Sequence, residues 1–197
     1  MLDLKKEHKI RKKEIKNHLQ KFKNKNEQQE IQEFLFCILT PQSNAEKCWE
    51  AVTLLNQQKS PDEIKFTLRG RARFHNTKTE RILTACLIWP RIKSALQTKN
   101  KLELRNWVAE TVPGYGLKEA GHFLRNIGNS DNKIAILDRH ILRNLKEQGV
   151  ISSDKIKNNR DYKTIEQQAL YFSGKVGIPI DELDLLFWHK EHGKYFK

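Results

Sequence analysis

Val112-Pro113-Gly114-Tyr115-Gly116-Leu117-Lys118-Glu119-Ala120 sets two glycines at alternate positions between two segments of helical periodicity. Before it, Lys101 to Thr111 places Leu102, Leu104, Trp107 and Val108 mostly inward; after it, Leu117 to Ile127 reads as a short helix closed by Gly128. Glycine tolerates positive φ and lets another backbone approach closely. The first amides of the helix after Gly116 lack internal acceptors, and the helix dipole adds positive potential there. Such a turn can hold a phosphate. The same pattern also serves an ordinary tight helical hairpin.

Outward from the hairpin, every periodic run is helical. The first thirty residues read as one long charged helix with a thin stripe of Leu2, Leu4, Ile10 and Ile15. Gln28 to Leu39 is a core helix, stopped at Thr40-Pro41 because proline disfavours helix in the residue before it. Ala45 to Gln57 follows, and Ser60-Pro61-Asp62-Glu63 is a helix start. Leu68 to Lys78 (LRGRARFHNTK) lacks periodicity and reads as a connection beside a basic surface. Thr79 to Trp89 is helical, with Pro90 bending or ending it. Arg139 to Gln148, Tyr162 to Val176 and Pro179 to Glu191 complete an all-α fold of about ten helices, with no strand pair and no repeat.

The chain has 197 residues, enough for one domain or two small lobes without staples. Its 37 Lys+Arg against 24 Asp+Glu leave a net charge of +13, which calls for a polyanionic partner, nucleic acid first. A lysine-rich solvated surface is the plainer account of the same charge. No run approaches the ~20 apolar residues of a membrane span, and the N-terminus lacks the apolar core of a signal peptide. Cys37, Cys48 and Cys86 cannot form a closed disulfide set, so a soluble, reduced, cytoplasmic protein is expected.

Several residues invite chemistry. Lys118 falls in the first turn of its helix, where the dipole disfavours a cation, so stability alone does not explain it. A surface phosphate contact is the alternative. Asp138 stands immediately before the helix from Arg139 and can cap it; the apolar approach Ile134 to Leu137 points to a partly buried carboxylate. The C-terminus gathers Phe187, Trp188, His189, Tyr195 and Phe196, aromatics that favour burial where termini usually fray.

VPGYGLKEAGHFLRNIG, then AILDRHILRNL, then the terminal FK resembles the helix-hairpin-helix DNA glycosylase superfamily, and within it the compact, archaeal-type 8-oxoguanine DNA glycosylases with AP lyase activity. The likeness runs from about Phe34 to the end. It implies two helical lobes with a cleft between them: 36–128, with the hairpin at 112–127, and 1–35 plus 129–197. It further implies Lys118 as the nucleophile, Asp138 as the catalytic acid, and DNA-backbone contacts from Gly114, Tyr115, Gly116 and His140. Gln42 would fill the gap left by a flipped nucleotide, with Ser43 and Asn44 beside the widowed base; short polar residues after a helix are equally common caps, and Asn44 can cap the helix from Ala45. Trp188 would stack on the damaged base, with Phe74 a weaker candidate for its other face, unless Trp188 and Phe196 are core residues. The Lys197 carboxylate would accept the N7–H that distinguishes 8-oxoguanine from guanine.

The resemblance places a monovalent cation at the backbone carbonyls of Glu110, Val112 and Tyr115, and no required cofactor. An iron–sulfur cluster is not expected, because the last cysteine is Cys86 and the superfamily's cluster-bearing branches use four cysteines near the C-terminus. No spacing suits zinc. The expected partner is double-stranded DNA containing oxidised guanine, bound by a monomer at the nucleoid. Two rival functions remain: a glycosylase/lyase for other oxidised bases, and a non-catalytic DNA-binding module that uses the hairpin alone. Lys118 with Asp138 speaks against the latter, since a clip needs neither.

Overall fold

The computed structural model describes residues 2–55, 60–97 and 100–196, and the described residues form ten helices and no strand. The chain folds as two compact units, residues 25–123 and residues 1–24 with 124–197.

In the first unit, local hydrogen-bonding signals start most helices. Asn26 and Gln29 form a capping box for α2 (Glu27–Leu39), Asn44 caps α3 (Ala45–Leu54), and Ser60 with Glu63 boxes α4 (Pro61–Leu68). α5 (His75–Ala95) has no side-chain cap, and Asn100 caps α6 (Lys101–Thr111). α2 is central, packed against α3 and α5, and α4 packs against both α3 and α5. Phe34 on α2 anchors the core, with the rings of Trp89, Tyr115 and Phe123 5.2–5.4 Å away.

Three expectations change here. The first thirty residues are not one helix: α1 (Leu2–Gln20) ends, Asn24 takes a positive φ, and α2 restarts at its own capping box. The basic connection is shorter than expected, because α5 already begins at His75. Pro90 does not end that helix. It forfeits one backbone hydrogen bond, but Trp89 Nε1 donates to Glu27 Oε1 at 3.0 Å and Lys93 Nζ to Glu30 Oε2 at 2.8 Å, so contacts with α2 carry α5 past the proline. α3 ends at Leu54, and the expected end at Gln57 lies outside the described residues.

The division between units falls within α7 (Leu117–Asn126), after Phe123. In the second unit α1, α8 (Arg139–Glu147) and α9 (Asn159–Val176) each pack on α10 (Ile180–His192). The basic N-terminal helix α1 packs through its buried Leu4, His8 and Ile15, and His8 Nε2 lies 2.6 Å from Glu182 Oε2. The C-terminal aromatics fold back onto it, with Phe196 O 2.9 Å from His18 Nε2. Gly128 (φ +71) permits a close approach, since a Cβ there would stand 3.2 Å from the Phe22 carbonyl oxygen.

Candidate active site

In the unit formed by residues 25–123, the hairpin joins α6 to α7. Gly114 has φ +88, and a Cβ on it would lie 2.6 Å from Arg81 Cδ, so the arginine side chain crosses the turn where only glycine leaves room. Tyr115 points inward: it is 8% exposed and its hydroxyl donates to the Phe34 carbonyl at 2.8 Å. Burial raises the pKa of that phenol well above its ordinary value. The Tyr115 side chain therefore braces the turn. The Val112 carbonyl accepts the Tyr115 amide at 3.1 Å, which closes the turn.

Lys118 occupies the first turn of α7, half-buried. Its Nζ lies 3.2 Å from Oε1 of Glu119, whose Oε2 accepts the Gly116 amide at 3.2 Å. One carboxylate thus caps the helix and pairs with the amine. Glu119 was not singled out from the sequence, although a glutamate three residues after a cap position is the second half of a capping box.

The Thr40–Asn44 turn belongs to the same unit. Gln42 is exposed with φ +57. Ser43 Oγ accepts the Arg73 amide at 2.9 Å and faces Lys78 Nζ at 2.9 Å. Asn44 Oδ1 accepts the Lys47 amide, so the capping role is real. Phe74 is 55% exposed, also with φ +57, and carries the Arg73 guanidinium 5.4 Å from its ring centroid. Lys78, unremarked in the sequence, is only 1% exposed.

In the second unit Asp138 caps α8. Its Oδ1 accepts the His140 and Ile141 amides, both at 2.8 Å, and Oδ2 has no hydrogen bond among the described residues. The approach Ile134 to Leu137 is buried, and Asp138 itself is partly buried, as the apolar approach led one to expect. The approach is neither helix nor strand; side chains of α9 hold part of its backbone instead. Glu166 Oε1 accepts the Ala135 amide at 3.1 Å, and Tyr162 Oη donates to the Ala135 carbonyl at 2.9 Å. The acid therefore sits on a segment that is fixed on one side by packing and on the other by its own cap.

His140 is not a surface histidine. Its Nδ1 meets Glu191 Oε2, and Arg143 and Asn144 donate to the same carboxylate at 3.0 and 2.9 Å. Its ring stands edge-on to Trp188, centroids 5.3 Å apart. Trp188 in turn stacks on His192 at 4.0 Å, and its buried Nε1 has no hydrogen-bond partner among the described residues. Asp138, His140 and Trp188 thus share one neighbourhood through α8 and α10. Glu191 carries no sequence signal for this role, since its partner His140 lies 51 positions away in the chain. Lys197 lies outside the described residues.

Among the described residues no group of three or more His, Cys, Asp and Glu side chains could hold a metal ion, and no helix is long and apolar enough to cross a membrane.

A sequence profile of 8-oxoguanine DNA glycosylase matches residues 11–178. An 8-oxoguanine DNA glycosylase/AP lyase from Fusobacterium nucleatum is 38% identical, over 96% of this chain and 90% of that protein. The crystal structure of the Methanocaldococcus jannaschii 8-oxoguanine glycosylase/lyase, in complex with a 15mer DNA containing 8-oxoguanine, superposes with a TM-score of 0.89 at 30% identity, covering 100% of both chains. The 8-oxoguanine DNA glycosylase of Thermotoga maritima gives a TM-score of 0.86 at 26% identity, covering 99% of this chain and 97% of that one.

Proposed function

The chain belongs to the 8-oxoguanine DNA glycosylase family, and on that premise we propose that it excises 8-oxoguanine from duplex DNA and then nicks the strand at the abasic sugar. The observation that carries this reading is the pairing of family membership with an amine, Lys118, in the first turn after the Gly114–Gly116 hairpin.

In the proposed reaction the Lys118 ammonium gives up a proton and its Nζ adds to C1′ as the bond from C1′ to the base nitrogen breaks, and the departing base takes up the proton that the amine has released. The sugar carries positive charge in the transition state, and the Asp138 carboxylate, aimed by its cap, stabilises that charge. Ring opening gives a Schiff base between Nζ and C1′. Loss of a C2′ proton then expels the 3′ phosphate by β-elimination, and water releases the lysine. Every bond change is served by an amine, a carboxylate and water, so no cofactor is called for.

The remaining residues bind and select. The amides at the start of α7 and the glycine turn take a backbone phosphate, and His140, fixed by Glu191, takes another. A monovalent cation on the Glu110, Val112 and Tyr115 carbonyls would brace the turn against that phosphate. Gln42 fills the vacated base position, with Ser43 and Asn44 beside it; Trp188 and Phe74 stack on the extruded purine. The terminal carboxylate of Lys197 accepts the extra N7–H of the lesion. The enzyme acts at the nucleoid, in the cytoplasm, on DNA containing oxidised guanine.

Borohydride reduction tests the reading. It should lock the chain covalently onto an 8-oxoguanine duplex, more than onto thymine glycol or undamaged duplexes, and Lys118→Gln should abolish the adduct. An adduct of unchanged yield in that variant refutes the assignment of the nucleophile.

A further inference from the structure

Lys78 is a lysine in the core. It is 1% exposed, and its ammonium donates to the Leu39 carbonyl at 2.7 Å, the Pro41 carbonyl at 2.9 Å and Ser43 Oγ at 2.9 Å. An ammonium has three hydrogens, so its donor capacity is used in full on one stretch of chain. These acceptors are the last residue of α2 and the turn that follows it. The C-terminal carbonyls of α2, the negative end of its dipole, provide the compensation that a carboxylate provides elsewhere. The Cys48 thiol donates to the same Leu39 carbonyl at 3.2 Å. Burial pushes the Lys78 pKa down, the Cys48 thiol opposes this, and Arg81 and Arg73 add to the fall. A hydrophobic side chain would sit in this place at lower desolvation cost, so a charged one asks for a reason.

The reason lies in what the lysine joins. Its side chain holds the residues on both sides of Gln42, while its own amide donates to the Phe74 carbonyl at 3.0 Å. Ser43 Oγ closes the link by accepting the Arg73 amide at 2.9 Å. Gln42 and Phe74 are both exposed, both non-glycine, and both held at φ +57. Left-handed backbone at such residues persists only where the surroundings enforce it. Here one buried side chain touches the enforcement of both.

We propose that Lys78 is a positioning residue that holds Gln42 and Phe74 as a matched pair of probes, so that Gln42 enters the vacated base position as Phe74 meets the extruded purine. The inference rests on the glycosylase reading above and adds to it the element that sets the probes. Lys78 itself does not touch DNA; its effect passes through the Thr40–Asn44 turn and the start of α5.

The full chain carrying Lys78→Met, which keeps the length and removes charge and donors, is the test. Three readouts are taken beside thermal melting: single-turnover release of 8-oxoguanine, borohydride trapping on a duplex with a preformed abasic site, and fluorescence of 2-aminopurine placed opposite the lesion. Release should fall on the order of tenfold or more, as misplaced groups near a reacting centre do, while abasic trapping falls no more than about twofold. The 2-aminopurine rise that marks a widowed base should be lost with it. Equal falls on both substrates mean a merely structural lysine and overturn the proposal; so do unchanged release and an unchanged fluorescence rise. Lys78→Gln keeps an uncharged donor group at the same position and should give the same ordering at smaller size. It decides the matter should Lys78→Met fail to fold, and the opposite ordering overturns the proposal. If the unaltered chain leaves 8-oxoguanine in place, the glycosylase reading falls, and this inference with it.

Discussion

Glu119 holds Lys118 from the next position in the chain: Oε1 lies 3.2 Å from the lysine Nζ, while Oε2 accepts the Gly116 amide that opens α7. One side chain thus does two separable things. Glu119→Gln keeps an oxygen for the Gly116 amide and loses the ion pair; Glu119→Ala loses both. The glutamine variant should melt close to the parent chain, because a half-exposed pair contributes little, whereas the alanine variant should lose about 1 kcal/mol in urea titration.

The cap that Asp138 provides and the catalytic role proposed for it are separable by substitution. Asparagine caps a helix as well as aspartate does, so Asp138→Asn should keep its stability, and Asp138→Ala should lose about 1 kcal/mol. Base release should collapse in both, by about 10²–10⁴-fold, because neither retains the carboxylate. Full activity in the asparagine variant would leave the residue as a cap alone.

The hairpin turn rests on a glycine of positive φ and a buried tyrosine. Gly114→Ala, at φ +88 and against Arg81, should cost about 1–2 kcal/mol in stability and weaken duplex binding. Tyr115→Phe should cost about 1 kcal/mol, for the lost bond to the Phe34 carbonyl, and leave the salt dependence of DNA binding as it was. A changed salt slope in that variant would mean that the tyrosine hydroxyl reaches DNA after all.

Asp181 makes a pH signature. Burial raises its pKa; the Ser130 hydroxyl at 2.5 Å, the Arg125 charge and an Asn132 hydrogen bond pull against that, and Asp131 adds to the rise. The folded state then holds the proton more tightly than the unfolded chain does. The stability contributed is full below the usual carboxylate range and is lost as pH rises through the raised folded value. Urea midpoints measured at stepped pH should show that decline, and Asp181→Asn should flatten it.

Where structure is set by neighbours in the chain, it was readable. α6 runs Lys101–Thr111 as expected, because the Asn100 cap before it and Pro113 after it are local signals. Asp138 was legible as a cap for the same reason. The break between α1 and α2 was missed although its signal was local too: Asn26 and Gln29 form a capping box inside a lysine-rich run that hides it. Pro90 misled in the other direction. A local rule ends the helix there, and the ties from Trp89 to Glu27 and Lys93 to Glu30 overrule it.

The residues by themselves determined most of the helices, the glycine turn and the cap at Asp138, since each follows from hydrogen bonds and periodicities spanning a few residues, while the roles expected of Lys118 and Asp138 came from the family resemblance. Only the tertiary structure decided which charges are buried and what they hold. Lys78 looks like one more cation in a basic segment, and its acceptors lie 35–39 positions away. His140 looks like a surface histidine, and its partner Glu191 lies 51 positions on. Taking a charge out of water is tolerable only where compensating groups converge on it, and that convergence comes from packing distant segments together.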